Sequence, residues 1–118
     1  NGASKGIFVR GIPEMHVKDI VLENMVLQAD KGIDVQEASN ITFRNIRLET
    51  TDTNPVVDVT QSDALIFDKI TTKAGSSLFF RFNGDKTKNI VIKNTDLNKA
   101  SQSTSFELGA NAAELKKQ

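Results

Sequence analysis

The chain has no cysteine, no tryptophan and no tyrosine, and it carries one histidine and two prolines in 118 residues. Without cysteine there is no disulfide framework and no thiolate metal site. One histidine excludes a His-rich zinc centre. All seven aromatic residues are Phe, which argues against a carbohydrate-binding module that stacks sugars on exposed Trp or Tyr. Neither sign of charge is in excess: 15 Lys and Arg face 15 Asp and Glu. Such a balance gives no general pull toward nucleic acid or an anionic membrane, though it leaves room for a local basic groove. No apolar run is long enough to cross a membrane, and no charged-then-apolar leader is present. Gly84 lacks the surrounding pattern of a phosphate loop, so no cofactor is expected. A chain that opens Asn1-Gly2 reads as a mature or excised piece.

The sequence does contain a repeat. Four segments align: VKDIVLENMVL (17–27), ASNITFRNIRL (38–48), SDALIFDKITT (62–72) and TKNIVIKNTDL (87–97). Within each, apolar and polar residues alternate with period two, as in Ile41 and Phe43 against Thr42 and Arg44, which predicts strands. Each copy runs on into a second short apolar strand: GIDVQ (32–36), PVVDVT (55–60), LFFRFN (78–83) and SFELG (105–109). The opening GIFVR (6–10) matches the second strand of an earlier copy. A short period with stacked strands is the signature of a solenoid, and the L-x-x-L-x-L signature of leucine-rich repeats is missing. The expected fold is an all-β, right-handed parallel β-helix of about four coils. Its coils span 1–109, with 110–118 as a C-terminal cap or tail.

Residues at equal positions in successive coils should stack. Asn24, Asn45 and Asn94 share one register, interrupted by Lys69. Asp19, Asn40 and Asn89 share another, interrupted by Ala64. Asn at a tight corner bonds backbone and the Asn one coil away, so Asn24, Asn40, Asn45, Asn89 and Asn94 read as a structural ladder. Inward positions include Phe43, Phe67, Phe80, Phe82, Phe106 and Leu108. An outward row is expected to run Phe8, Asp34, Asp58, Arg81, Glu107. Within it, Asp34 above Asp58 is a weak candidate calcium pair, although two solvated carboxylates are the simpler reading. Otherwise no metal site is expected. Arg44, Lys69 and Lys93, preceded by Glu23, read as an outward basic strip able to attract a polyanion, or as a solvated face.

The run GIFVRGIPEMHVKDIVLENMVL (6–27), followed by GIDVQEASNITFRNIRL (32–48), resembles the C-terminal coils of polygalacturonase-type glycoside hydrolases of family 28, above all the bacterial pectin-degrading members. There a Gly-Leu-Pro-Glu-Met stretch opens a coil, and here Gly11-Ile12-Pro13-Glu14-Met15 stands in its place. The resemblance implies hydrolysis of acidic galacturonan with inversion, by carboxylates spaced to admit a water, in a secreted or periplasmic parent. Its catalytic signatures are not carried here. Asn94-Thr95-Asp96 is a literal Asn-Thr-Asp, but no Asp-Asp, no Gly-His-Gly and no Arg-Ile-Lys follows it.

The resemblance therefore implies coils downstream of an active site, inactive alone, with the upstream coils of a parent chain as partner. Two other readings stand beside it: a free-standing β-helical module that binds acidic polysaccharide, or a fragment of a polysaccharide lyase. Arg10, Glu14 and His16, near the entrance of the first copy, are candidates for the far end of a sugar-acid groove, with loop solvation as the simpler reading. An uncovered first coil also predicts end-to-end self-association.

Overall fold

The computed structural model describes residues 7–29, 32–50, 55–72 and 76–117. Residues 1–6, and Asp30 and Lys31 of the predicted turn DKGID, lie outside them. The chain is a parallel β-solenoid of about four turns made of two five-stranded sheets. One sheet has the order β1 (Ile7–Arg10), β3 (Ile33–Gln36), β5 (Val57–Thr60), β7 (Ser76–Asn83), β9 (Ala100–Glu107). The other stacks β10 (Leu115–Lys117), β8 (Lys88–Lys93), β6 (Asp63–Thr72), β4 (Ala38–Thr50) and β2 (Val17–Ala29). Consecutive strands alternate between the sheets, so each coil adds one strand to the sheet of β1, whose first three strands are short, and one to the sheet of β2, whose first three are long.

Alternation puts one side of every strand into the space between the sheets. Ile41, Phe43, Ile46 and Leu48 of β4 are fully buried, and Leu65, Phe67 and Ile70 of β6 stack directly beneath them. Phenylalanines tie the two sheets together. Phe43 and Phe67 are stacked with ring centroids 4.9 Å apart, and Phe67 meets Phe80 of the opposite sheet edge-on at 5.2 Å. From Phe80 the contacts continue to Phe82 and on to Phe106. The first coil is less covered. Ile20, Leu22, Met25 and Leu27 pack against the core but are only half-buried, because β2 is the edge of its sheet.

The long strands are bent twice per coil. Asp19, Asn40, Ala64 and Asn89 all have positive φ, as do Asn24, Asn45, Lys69 and Asn94. Asn and Asp tolerate this left-handed region better than other non-glycine residues, which explains their recurrence at these positions. Ala64 and Lys69 adopt it because the coils on either side impose the same bend. A third row of bends, at Glu37 and Gln61, turns the chain from the short strand into the long one.

Two expectations need correction. The outward row of the short-strand sheet runs Phe8, Asp34, Asp58, Arg81 and then Ser105, with Glu107 beside Asn83 instead. Leu108, expected inside, is exposed at a positive-φ bend. A two-residue slip preserves which face each side chain occupies, so alternation alone could not detect it. Phe79, absent from the expected core, is fully buried and stacked on Phe80. In the C-terminal stretch, Leu115–Lys117 adds a last strand beside β8 after a 3-10 turn at Ala112–Glu114.

Candidate functional site: the outer face of the long strands

The outward row through the middle of the long strands is Glu23, Arg44, Asp68, Lys93. It alternates in sign and is not a basic strip. Lys69, expected beside Arg44 and Lys93, instead occupies the bend, because the positive-φ position falls one residue after Asp68. Arg44 lies between two acids, 3.5 Å from Glu23 and 3.6 Å from Asp68. A hydrogen bond from Asn94 (2.9 Å), with Lys93 and Arg44 nearby, holds the Asp68 carboxyl below its ordinary pKa. A depressed carboxylate stabilises the fold above its unfolded pKa, and that contribution is lost as pH falls through the folded value. Asp68→Asn is therefore expected to be less stable than the parent at neutral pH. The difference should shrink as a urea titration is repeated at successively more acid pH.

The stacked acids of the short-strand sheet are already partnered. Arg10 Nη2 donates to Asp34 at 2.8 Å and its guanidinium also lies over the Phe8 ring. Asp58 accepts from Arg81 at 2.8 Å and from Asn83 at 2.7 Å, and the Asp58 bond holds Arg81 firmly protonated. Cations thus bracket the pair from both sides, and they engage Asp34 Oδ2 and both Asp58 oxygens, which a calcium ion at Asp34 and Asp58 would have to displace. Among the described residues Asp34 Oδ1 and Thr72 Oγ1 are the buried side-chain oxygens without a partner. Among the described residues no cluster of three potential metal ligands occurs.

The ladder residues are tied from coil to coil. Asn40 Nδ2 donates to Asp19 at 2.7 Å, and Asn45 Nδ2 donates to Asn24 at 2.8 Å. In the last coil Lys69 offers no acceptor at the matching place, and Asn94 donates to Asp68 instead. Asn89 sits at its bend above Ala64, and its backbone N–H donates to Glu114. The tripeptide Asn94-Thr95-Asp96 is absorbed in the same way. Thr95 Oγ1 donates to the Lys93 carbonyl, and Asp96 caps the 3-10 turn Leu97–Lys99 by accepting from Asn98 N–H at 3.0 Å.

At the entrance to β2, Ile12 and Met15 bridge each other, closing a tight turn with Pro13 and Glu14 at its tip. Glu14 is exposed there. Gly11 is required by close approach: a Cβ on it would collide with the Glu37 carbonyl oxygen and lie 2.7 Å from Val17 N. The turn delivers His16 to the first bend, where Nδ1 lies 2.8 Å from Ser39 Oγ and Nε2 lies 3.2 Å from Glu37. Arg10, Glu14 and His16 do not converge, since Arg10 is engaged by Asp34 on the other sheet.

Concave surface lies further along the long strands. Two adjoining depressions, of about 440 and about 400 Å³, share Arg47 and Thr71. The first is completed by Glu49, Thr72 and Lys99, the second by Asn24, Met25, Val26 and Asn45. Val26, Arg47 and Thr71 are one stacked row. Arg47 is two-thirds exposed and bonds Glu49 at 2.9 Å, whose carboxylate also accepts from Gln28. Neither Arg47 nor Lys99 was singled out as a binding residue from the sequence. Arg47 was legible as the outward residue between inward Ile46 and Leu48, whereas Lys99 comes from a turn outside the repeat.

Comparison with protein-family models, curated proteins and solved structures gives no match. The reading of this face therefore rests on its own chemistry. It offers guanidinium, ammonium, amide and hydroxyl donors, together with the Glu49 carboxylate paired to Arg47, in a shallow trough that crosses successive coils.

Proposed function

We propose that the chain is a β-solenoid segment of a polygalacturonase-like glycoside hydrolase that holds acidic polysaccharide and does not itself cleave it. The observation that carries this reading is the trough around Arg47 and Thr71. Its hydrogen-bond donors suit the hydroxyls of a sugar chain, and its Arg47 and Lys99 suit the carboxylates. The disposition of the acids supports the non-hydrolytic part. Inverting hydrolysis needs two carboxyl groups facing one sugar with room for water between them. Here Asp34 and Asp58 are held by arginines, Asp68 by Asn94, and Asp96 by its capping bond. The resemblance of residues 6–48 supports the polysaccharide class and a secreted or periplasmic setting. The edge of β2, whose inward residues are half-covered, is where preceding coils of a parent enzyme would stack.

Titration with short oligogalacturonates tests the binding. Arg47→Ala is expected to weaken affinity roughly five- to tenfold, about 1 kcal/mol for one charge-assisted contact at an exposed site. Lys69→Ala, outside the trough, should leave it unchanged. Equal affinity for the parent and Arg47→Ala would remove the trough as the site. Binding by the isolated chain also fits a free-standing module. A source polypeptide no larger than this chain would favour that alternative.

A further inference from the structure

We propose that Ser39, His16 and Glu37 form a nucleophilic triad that accepts short acyl groups from esters, an activity distinct from polysaccharide binding in the trough. The three residues reach one point from three places in the chain. His16 follows the tight turn at Ile12–Met15, Glu37 occupies the left-handed bend between β3 and β4, and Ser39 is the first outward residue after Ala38. Both ring nitrogens of His16 are engaged, Nδ1 with Ser39 Oγ at 2.8 Å and Nε2 with Glu37 Oε2 at 3.2 Å. A carboxylate can only accept, so the tautomer that suits this contact carries the imidazole proton on Nε2. That leaves the Nδ1 lone pair facing the serine hydroxyl, which is the arrangement a general base needs. His16 and Glu37 remain partly exposed, 27% and 20% at their side chains, so a small ester meets the site from solvent.

The bend at Glu37 is held without the triad. Its N–H donates to the Thr60 carbonyl, and its carbonyl accepts from Val17 N–H. The backbone from which the Glu37 carboxylate reaches His16 is thereby fixed by bonds to neighbouring strands. Lys18 is the neighbour of Ser39 in the same outward row, with Asp63 on the other side. Lys18 is thus a cation adjacent in register to the attacking serine.

The step balances without any oxidant or metal. Ser39 Oγ bonds to the carbonyl carbon while its proton passes to His16 Nδ1. The tetrahedral intermediate collapses, the bond to the alcohol breaks, and the alcohol leaves with the proton from Nδ1. Water then attacks the acyl-serine by the same route, giving the free acid and restoring the hydroxyl.

A fluorophosphonate probe tests this on the intact chain, because it forms a stable Ser Oγ–P bond with loss of fluoride. Peptide mapping is expected to find the phosphonyl group on Ser39, in preference to every other serine. His16→Gln, which can still hydrogen-bond Ser39 but cannot act as a base, should slow labelling on the order of a hundredfold. Under the same conditions p-nitrophenyl acetate hydrolysis should fall in parallel. A folded parent chain that leaves Ser39 unlabelled, or labels it no faster than the other serines, overturns the proposal. So does a His16→Gln chain that labels at the parental rate. The mapping on the parent needs no variant, so a misfolded substitution cannot obscure the answer. It is also independent of whether oligogalacturonates bind.

Discussion

Phe67→Ala is expected to cost about 3–5 kcal/mol, the range for removing a fully buried aromatic ring. The site is a demanding one. Phe67 has no exposed surface, lies parallel to Phe43 with 4° between the ring planes, and meets Phe80 edge-on. It is thus the ring that joins the long-strand sheet to the short-strand sheet. Strands stacked above and below hold the backbone, so the cavity cannot close by collapse. Truncation loses contacts on both sides. For a domain of this size the midpoint of thermal unfolding should fall by on the order of 15 °C. Urea unfolding followed by circular dichroism measures the loss, and Phe67→Leu should recover a large share of it. A loss below 1 kcal/mol would mean that the two sheets are not joined through this ring.

Gly32→Ala should have the next largest effect, about 2–3 kcal/mol of overpacking, with a single added methyl group. Gly32 is buried at the start of β3, and its carbonyl accepts from Ile7 N–H. A Cβ there would collide with the Val56 carbonyl oxygen and come within 3.4 Å of the Val56 side chain. That carbonyl is the acceptor for Ile33 N–H, so it cannot retreat without breaking a bond between coils. Strain of this kind should spread along the stack. Hydrogen exchange is expected to quicken at Ile7 and Ile33 first. A mild effect confined to residue 32 would show that the coils slide past one another more readily than their pairing implies.

These consequences follow from features that were unequally legible in the sequence. The repeat was plain because a period of two, the copies 17–27, 38–48, 62–72 and 87–97, and Asn or Asp at the bends all report the same geometry. Bends at Ala64 and Lys69 could be placed only by alignment, since neither residue favours positive φ by itself. Register in the last coil was not legible: Ser105 and Glu107 both point outward, and only the pairing of Phe106 with Phe82 chooses between them. The outer face was read less well than the core. Charge partners across coils depend on register to the residue, and a one-residue difference exchanged Lys69 for Asp68 in the row of Arg44. His16 was noticed as the single histidine. Its contacts with Ser39 and Glu37, 23 and 21 positions further along the chain, exist only because one coil brings them beneath the entrance turn.

The most direct test of the functional account is to pass the purified chain over immobilised polygalacturonate at low salt while assaying the same polymer in solution for new reducing ends. Retention that weakens as salt is raised is expected, because charge carries part of the contact, together with no release of reducing ends. Passage without retention, or steady release of reducing ends by this chain alone, would contradict it.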